Sequence, residues 1–173
     1  MSKDPQAVDS RSSRADQVGA GQAVSGAAVE VAVVALWRSS ASGAAELLVG
    51  RRAKGAIRGG LWELAGGKID AGEEPAAAAL RELDEEVGVS RDQLAAPCEP
   101  LLVVTHTDEG LSRERTVRIH AFIAEALPSA SPVARGTAEV RWLALSDFLA
   151  LEFPKANTAI NHAIARRLSG ASR

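Results

Sequence analysis

The chain has 173 residues, 46% hydrophobic and 24% charged, which is enough for one domain with a substantial core. Its 22 acidic and 20 basic residues are mixed and leave a net charge of −2, without the basic face or acidic tail of proteins that bind DNA or membranes. Cys98 is the only cysteine, which excludes an internal disulfide and a multi-cysteine zinc site and is typical of a reducing compartment. We therefore expect a cytoplasmic protein without a nucleic-acid polymer as its partner.

The first part of the chain predicts a tail followed by two strands. Residues 1–26 are rich in Ser, Gln, Gly and Ala, with too little apolar surface to offset the entropy cost of ordering, and are predicted to be flexible. The apolar, β-branched run 27–37 predicts a central strand, and ELLVGRR at 46–52 predicts a second strand. Because no apolar run approaches the roughly 18 residues of a membrane span, and 1–26 lacks a signal-peptide core, we expect no contact with a membrane.

The middle of the chain predicts a short strand, a loop and a helix. LWEL at 61–64 predicts the strand, and AGGKIDAG after it predicts the loop. Pro75 suits the first position of a helix that runs to about Val87 and ends at Gly88. On this helix, Leu80, Leu83 and Val87 share an apolar face.

The second half predicts three strands, 100–108, 116–125 and 139–145, and a last helix at 158–168. The closing residues 169–173 are predicted to be frayed. Strands surround two helices without a repeating βαβ rhythm, which indicates the α+β class: one domain over 27–168 with a mixed sheet flanked by helices, an α-β-α sandwich.

Three glutamates crowd the other face of the predicted middle helix. Glu82, Glu85 and Glu86 are three and four residues apart, where like charges cost roughly 0.2–0.5 kcal/mol per pair. Only Arg81 and the more distant Arg91 are available to relieve this repulsion, so the charge is expected to be left unpaired. A solvated acidic surface is the ordinary interpretation of such a face. The glycine-rich loop before the helix favours another, because divalent cations prefer oxygen ligands and a flexible backbone can supply carbonyls.

The segment from Gly67 to Val89 resembles the signature of the Nudix hydrolases. The resemblance rests on Gly67, Glu73 and the run RELDEEVGV at 81–89, and the order of predicted elements over 27–168 is compatible with the Nudix fold. It implies hydrolysis of a nucleoside diphosphate linked to another group, with Mg²⁺ as cofactor or Mn²⁺ as its substitute. The implied partner is a small-molecule nucleotide, and the protein is expected to be a monomer or a homodimer.

The same resemblance implies a set of metal ligands. Glu85 and Glu86 would bind the metal together with the backbone carbonyl of Gly66, and Glu82 would be a further ligand or the general base for water. Members of the family often use one more acid outside the motif. Glu139 is the nearest candidate, with a charge at a strand edge as the alternative.

Supporting roles follow for three more residues. Glu73 and Arg81 would orient the carboxylates through an ion pair, the alternatives being an acid at a helix start and an exposed arginine. Lys68 would stabilise the leaving phosphate as a point charge, the alternative being a solvated loop lysine.

Two segments outside the motif resemble the MutT branch, which cleaves nucleoside triphosphates to the monophosphate and pyrophosphate. These are LWELAGGK at 61–68 and FPKAN at 153–157, in which Lys155 replaces the branch's second proline. The resemblance implies that Arg51 and Arg52 contact the nucleotide, or else are ordinary charges at a strand end. It also implies that the amide of Asn157 reads the base, whereas a helix N-cap is the alternative.

The predicted activity is therefore a Mg²⁺-dependent nucleoside triphosphate pyrophosphohydrolase acting on an oxidised purine such as 8-oxo-dGTP or on a pyrimidine such as CTP. The diadenosine polyphosphate branch is disfavoured because the chain contains no tyrosine. The ADP-ribose branch is disfavoured because LVVT at 102–105 lacks that branch's proline, but ADP-ribose remains the first alternative substrate. A non-catalytic nucleotide-sensing module is the alternative from another class.

Overall fold

The computed structural model describes residues 28–55, 59–108 and 115–170, so the predicted tail and residues 171–173 of the predicted frayed end lie outside it. The described elements are β1 (Val29–Ser39), β2 (Ala45–Arg51), β3 (Trp62–Glu63), β4 (Ala65–Lys68), α1 (Pro75–Val87), β5 (Glu99–Asp108), β6 (Arg115–Glu125), β7 (Glu139–Ala144), α2 (Leu145–Leu149) and α3 (Thr158–Ser169). Single turns of 3₁₀-helix cover Arg91–Gln93 and Lys155–Asn157.

The described strands form one mixed sheet of seven, in the order β3-β2-β1-β6-β5, with β4 paired to β1 and β7 paired to β2. β1 and β6 run parallel and stay in register from the Val29–Val117 pair to the Trp37–Glu125 pair. The other described pairings are antiparallel. β1 therefore lies at the centre of the sheet, as its apolar, β-branched sequence predicts.

Alternation along β1 and β6 creates two cores on opposite faces of the sheet. On one face α1 packs on the sheet through a cluster that includes Ala32, Val34, Leu36, Ala78, Leu83, Val87 and Phe122. On the other face α2 and α3 cover a cluster that includes Ala35, Leu47, Val49, Ile123, Phe148, Ile160 and Ile164. The prediction of a mixed sheet flanked by helices is confirmed.

The ends of α1 follow from two residues. Pro75 occupies the first turn, where its missing N–H costs no hydrogen bond. Gly88 ends the helix with a φ of 67° and donates its amide to the carbonyl oxygen of Asp84 at 2.9 Å. Because this left-handed conformation is costly for other residues, the glycine fixes the end of the helix where the sequence predicts it.

The structure corrects two predicted elements. Ala65–Lys68, predicted as part of a loop, is the strand β4, because it pairs antiparallel with β1 from Val34 to Val31. Leu145, predicted as the end of a strand, begins the helix α2, which buries Phe148 completely. In both places tertiary pairing or packing overrides weak local preference.

Candidate active site

Two consecutive glycines bring β4 against both β1 and α1. A Cβ atom at Gly66 would lie 2.7 Å from the Cα of Val33 in β1. A Cβ atom at Gly67 would lie 2.6 Å from a carboxylate oxygen of Glu82 in α1. Real Cβ atoms do not make such contacts, so at Gly66 only glycine fits against the β1 backbone, and a side chain at Gly67 would push the Glu82 carboxylate from its place. The backbone of β4 thus forms one wall of a site whose other wall is the acidic face of α1.

Arg81 is the centre of the hydrogen-bond network at this site. Its Nε and Nη2 donate to the two carboxylate oxygens of Glu73 at 3.0 and 2.9 Å. Its Nη1 donates to Glu82 at 2.7 Å and to Glu85 at 3.1 Å, and Nη2 also donates to the carbonyl oxygen of Lys68 at 3.0 Å. A guanidinium has five N–H donors, and all of them are used here.

This network changes the pKa of the groups it joins. Hydrogen bonds from Arg81 lower the pKa of Glu73, and the backbone amide of Asp70 acts in the same direction. The carboxylates of Glu73 and Glu82 raise the pKa of Arg81. The expectation that the acidic face is left unpaired is therefore wrong, because one arginine contacts two of its three glutamates.

The third glutamate of the face has a different environment. Glu86 is half-buried, and one of its carboxylate oxygens accepts a hydrogen bond from the amide of Gly66 at 3.0 Å. Burial raises the pKa of Glu86 to about 7; the amide opposes this rise, and the nearby carboxylates of Glu63 and Glu82 add to it. The nearby guanidinium of Arg52 also opposes the rise in pKa but does not outweigh burial.

Glu139 lies on β7 among arginines. Its carboxylate accepts a hydrogen bond from Nε of Arg141 and lies 4.0 Å from Nη1 of Arg51. The guanidinium carbons of Arg51 and Arg141 each lie 5.5 Å from the centre of the Trp62 ring. The structure therefore places Glu139 in an arginine–tryptophan cluster, and its role as a metal ligand stays a prediction.

The other predicted residues lie around the site in different environments. Arg52 donates to Glu63 at 2.7 Å, and the side chain of Lys68 is exposed at the end of β4. Asn157 directly precedes α3, but its side chain makes no capping hydrogen bond. The capping interpretation of Asn157 is therefore wrong, because the residue belongs to a 3₁₀ turn with helical backbone angles and does not have the extended backbone of an N-cap.

Comparison with known proteins settles the family. The family model of the NUDIX domain matches residues 28–165, most of the chain and nearly all of the described fold. The chain belongs to the Nudix family. The predicted family is thereby confirmed, and the signature motif occupies β4, the loop after it and α1.

Curated proteins resemble shorter parts of the chain. An RNA pyrophosphohydrolase of Acidiphilium cryptum is 50% identical over 54 residues, which are 31% of this chain and 33% of that protein. The chain spans a third or less of the length of the curated relatives it matches.

Solved structures resemble the chain over most of its length. The NUDIX domain of Shewanella oneidensis NrtR, complexed with ADP ribose, has a TM-score of 0.67 and 20% identity, covering 83% of this chain and 90% of that one. A MutT protein from Methanosarcina mazei has a TM-score of 0.62 and 18% identity, covering 87% and 100%. These similarities confirm the Nudix fold. In the part of the chain that the structure describes, no helix is long and apolar enough to cross a membrane.

The residues of the Nudix motif fit a divalent cation by donor chemistry, since carboxylate oxygens are hard ligands. One atom, Nη1 of Arg81, lies within 3.1 Å of both Glu82 and Glu85, so a single positive group bridges these two carboxylates. In their present conformations no three acidic, histidine or cysteine side chains of residues 28–55, 59–108 and 115–170 are grouped to hold a metal. Glu85 is 60% exposed, so its side chain can change rotamer without disturbing the core.

Sequence reasoning missed two contributors to the site. Glu63 adds negative charge beside Glu86 and pairs with Arg52. A polar residue between Trp62 and Leu64, next to a glycine pair, is a signal that could have indicated it. The segment 133–138, which contacts the end of α1, carries no such signal because its small and charged residues are typical of any loop.

Proposed function

We propose that this Nudix protein is a Mg²⁺-dependent nucleoside triphosphate pyrophosphohydrolase, which converts a nucleoside triphosphate and water to the monophosphate and pyrophosphate. Mn²⁺ is its expected substitute. The observation that carries the proposal is the direct apposition of the glycine pair of β4 to the acidic face of α1. That arrangement collects hard oxygen donors beside a backbone wall that a polyphosphate can approach closely.

The carboxylates have separate tasks in this proposal. Glu85 and Glu86 would hold the cation together with the carbonyl of Gly66. When bound, the cation supplies neutralisation of phosphate charge and a lowered pKa of bound water. Glu82 would accept the proton of the attacking water; its carboxylate accepts a hydrogen bond from Nη1 of Arg81 and occupies the space that a Cβ atom at Gly67 would need.

The basic residues would bind the charged substrate. Lys68 is exposed at the end of β4, and its backbone carbonyl accepts a hydrogen bond from Arg81. Its ammonium group would contact the phosphates as a mobile point charge. Arg51 ends β2 and Arg52 follows it, close enough to Glu86 to oppose the rise of that residue's pKa. Both arginines would contact the nucleotide, and Asn157 would offer its amide to the base. The substrate we favour is an oxidised purine nucleotide such as 8-oxo-dGTP, or a pyrimidine nucleotide such as CTP.

Two observations define the competing substrates. The RNA pyrophosphohydrolase similarity favours testing RNA with a 5′-polyphosphate, although it covers only part of either chain. The structural similarity to a NUDIX domain complexed with ADP ribose favours testing ADP-ribose. A nucleotide-sensing module without turnover is the third alternative, and it has no need for the complete set of ionisable groups in the motif.

A substrate panel tests the proposal. Purified protein in millimolar Mg²⁺ is incubated with the four NTPs, 8-oxo-dGTP, ADP-ribose and 5′-triphosphorylated RNA, and the phosphate products are separated. Pyrophosphate released from a nucleoside triphosphate supports the proposal. Turnover of ADP-ribose alone or of RNA alone would contradict the proposal and identify that compound as the substrate. Nucleotide binding without any turnover would indicate the sensing module.

Glu82→Gln tests the role of the proposed base. We expect turnover to fall by ~10²–10⁴-fold, the usual contribution of a general base, with little change in melting temperature because the shape is preserved. Glu46→Gln is the matched control. Glu46 is also a partly buried glutamate paired with an arginine, Arg38, but it lies at the opposite end of β2 from Arg51. Normal turnover by Glu82→Gln would overturn the assignment.

A further inference from the structure

A short segment fastens the end of α1. We name residues 133–138, which precede β7, the strap. The amides of Arg135 and Gly136 both donate to the carbonyl oxygen of Glu86, at 2.9 and 3.1 Å, and the amide of Val133 donates to the carbonyl oxygen of Val87 at 2.9 Å. The last carbonyls of a helix have no partner within the helix, so the strap satisfies groups that would otherwise need water.

The other end of the strap holds β2. The amide of Ala138 donates to the carbonyl oxygen of Arg51 at 2.9 Å. Thr137 packs so closely on Gly50 that a Cβ atom there would lie 2.8 Å from its methyl carbon. Within six residues the chain therefore contacts both a proposed cation ligand and a proposed substrate-binding arginine.

The side chain of Arg135 adds a second attachment to α1. Its Nη1 donates to the carbonyl oxygen of Asp84 at 3.2 Å and to the carboxylate of the same residue at 2.9 Å. Its guanidinium also covers Gly88, where a Cβ atom would lie 3.0 Å from Nε. A cation at this position is favourable because the C-terminus of a helix carries partial negative charge.

Close packing against Glu86, and not backbone conformation, favours glycine at position 136. Its φ is not positive; among the described glycines, positive φ occurs at Gly43, Gly60, Gly72 and Gly88. A Cβ atom at Gly136 would lie 3.1 Å from the Cγ and 3.2 Å from the Cα of Glu86. A larger residue here must therefore move the stem of the Glu86 side chain or the last turn of the helix.

We propose that Arg135 and Gly136 are positioning residues for the cation site. The strap sets the last turn of α1, and with it the carboxylate of Glu86, at a fixed distance from Arg51 at the end of β2. The inference rests on the proposed function, because it assigns Glu86 to the cation. It predicts that changes in the strap alter cation affinity although no strap side chain contacts the cation.

Gly136→Ala tests the proposal, and Gly170→Ala is its matched control. Gly170 follows α3 with a φ of −81°, and a Cβ atom there would meet only ordinary contacts, the nearest at 3.4 Å. Titration calorimetry of metal-free protein with Mg²⁺ should show affinity weakened ~10-fold or more by Gly136→Ala and unchanged by Gly170→Ala. Equal Mg²⁺ affinity in Gly136→Ala and wild type would overturn the proposal. Melting temperatures show whether a weaker affinity results from a displaced Glu86 carboxylate or from unfolding of the variant.

A second pair of variants decides the matter if Gly136→Ala fails to fold. Arg135→Ala removes an exposed ion pair with side chains 55% and 51% exposed, and Arg167→Ala removes the Arg167–Glu99 pair, with side chains 54% and 57% exposed. We expect similar small changes in melting temperature from both, weaker Mg²⁺ binding from Arg135→Ala alone, and recovery of affinity in Arg135→Lys. Equal Mg²⁺ affinities in the two alanine variants would contradict the proposal.

The outcomes distinguish this inference from the proposed function. If wild-type protein binds Mg²⁺ but hydrolyses nothing in the panel, the proposed hydrolase activity is refuted, while the affinity comparison still tests the role of the strap. If wild-type protein binds no Mg²⁺, the proposed activity and the role of the strap are both refuted. If wild-type protein is active and its strap variants keep normal Mg²⁺ affinity, only the role of the strap is refuted.

Discussion

Replacing Arg81 by alanine should destabilise the protein strongly in the absence of divalent cations. The change removes five hydrogen bonds, four of them to carboxylates. The guanidinium is 29% exposed, and its partners Glu73 and Glu82 are 17% and 14% exposed, so those two contacts are only partly screened by water. The contact to Glu85 counts for little because that side chain is 60% exposed.

These contacts set the expected magnitude. Hydrogen bonds to charged groups contribute roughly 1.5–3 kcal/mol each, but here they share one side chain and are not additive, so we expect a loss of about 2–4 kcal/mol in the free energy of unfolding. The variant also leaves Glu82 and Glu85 without the guanidinium that contacts them. A divalent cation would not compete with Nη1 for these carboxylates in the variant, so at saturating concentration it should stabilise the variant by about 1 kcal/mol more than wild type.

Urea unfolding at pH 7.5, in EDTA and in millimolar Mg²⁺, measures both effects. Arg38→Ala is the matched control: Arg38 is 33% exposed, pairs with Glu46 at 2.8 Å and lies outside the site. Its loss of stability should be the same in EDTA and in Mg²⁺, whereas that of Arg81→Ala should be smaller in Mg²⁺. A loss below about 1 kcal/mol for Arg81→Ala in EDTA, or equal losses in the two buffers, would refute this reasoning.

The glycine pair and Glu73 provide two further tests. Gly66→Ala should lower the free energy of unfolding by about 1–3 kcal/mol, because its Cβ would overlap the backbone of β1. Gly67→Ala should lower turnover much more than stability, because its Cβ would overlap only the end of the Glu82 side chain. Thermal unfolding and turnover rates, measured on both variants, test this difference. Arg81 lowers the pKa of Glu73, so this carboxylate contributes stability that is present above pH ~4.5 and lost as the pH falls through its lower folded-state pKa. The melting temperature of Glu73→Gln should therefore lie below that of wild type at pH 7 and approach it in acid, and a constant difference across that range would contradict the pairing.

Local signals allowed much of the fold to be predicted. The helix α1 runs from Pro75 to Val87, and Gly88 ends it as predicted, because the proline, the glycine and the apolar stripe all lie within the segment they define. The long strands follow for the same reason. β4 was not predictable in this way, since AGGK has little strand preference and is a strand only because β1 supplies its hydrogen-bond partners.

The resemblance predicted the ion pair between Glu73 and Arg81, and the structure contains it. Spacing alone does not show that the same guanidinium also reaches Glu82 and Glu85. That geometry depends on the loop between β4 and α1, which folds back to bring Glu73 beside the helix. Glu139 shows the same limit: its position on β7 was predicted, but its contact with Arg141 depends on side-chain directions that no pattern of residues records.

The three glutamates on one face of α1 repel one another unless hydrogen bonds or positive charge compensate them. Nη1 of Arg81 donates hydrogen bonds to Glu82 and Glu85. Glu86 accepts a hydrogen bond from the amide of Gly66, and burial raises its pKa. The contacts of Arg81 to Glu73 and to the carbonyl of Lys68 involve other nitrogens, so the arginine can release Glu85 without leaving its place. The same side chain thus holds Glu82 and Glu85 together, and under the proposed function a cation would have to compete with Nη1 for them.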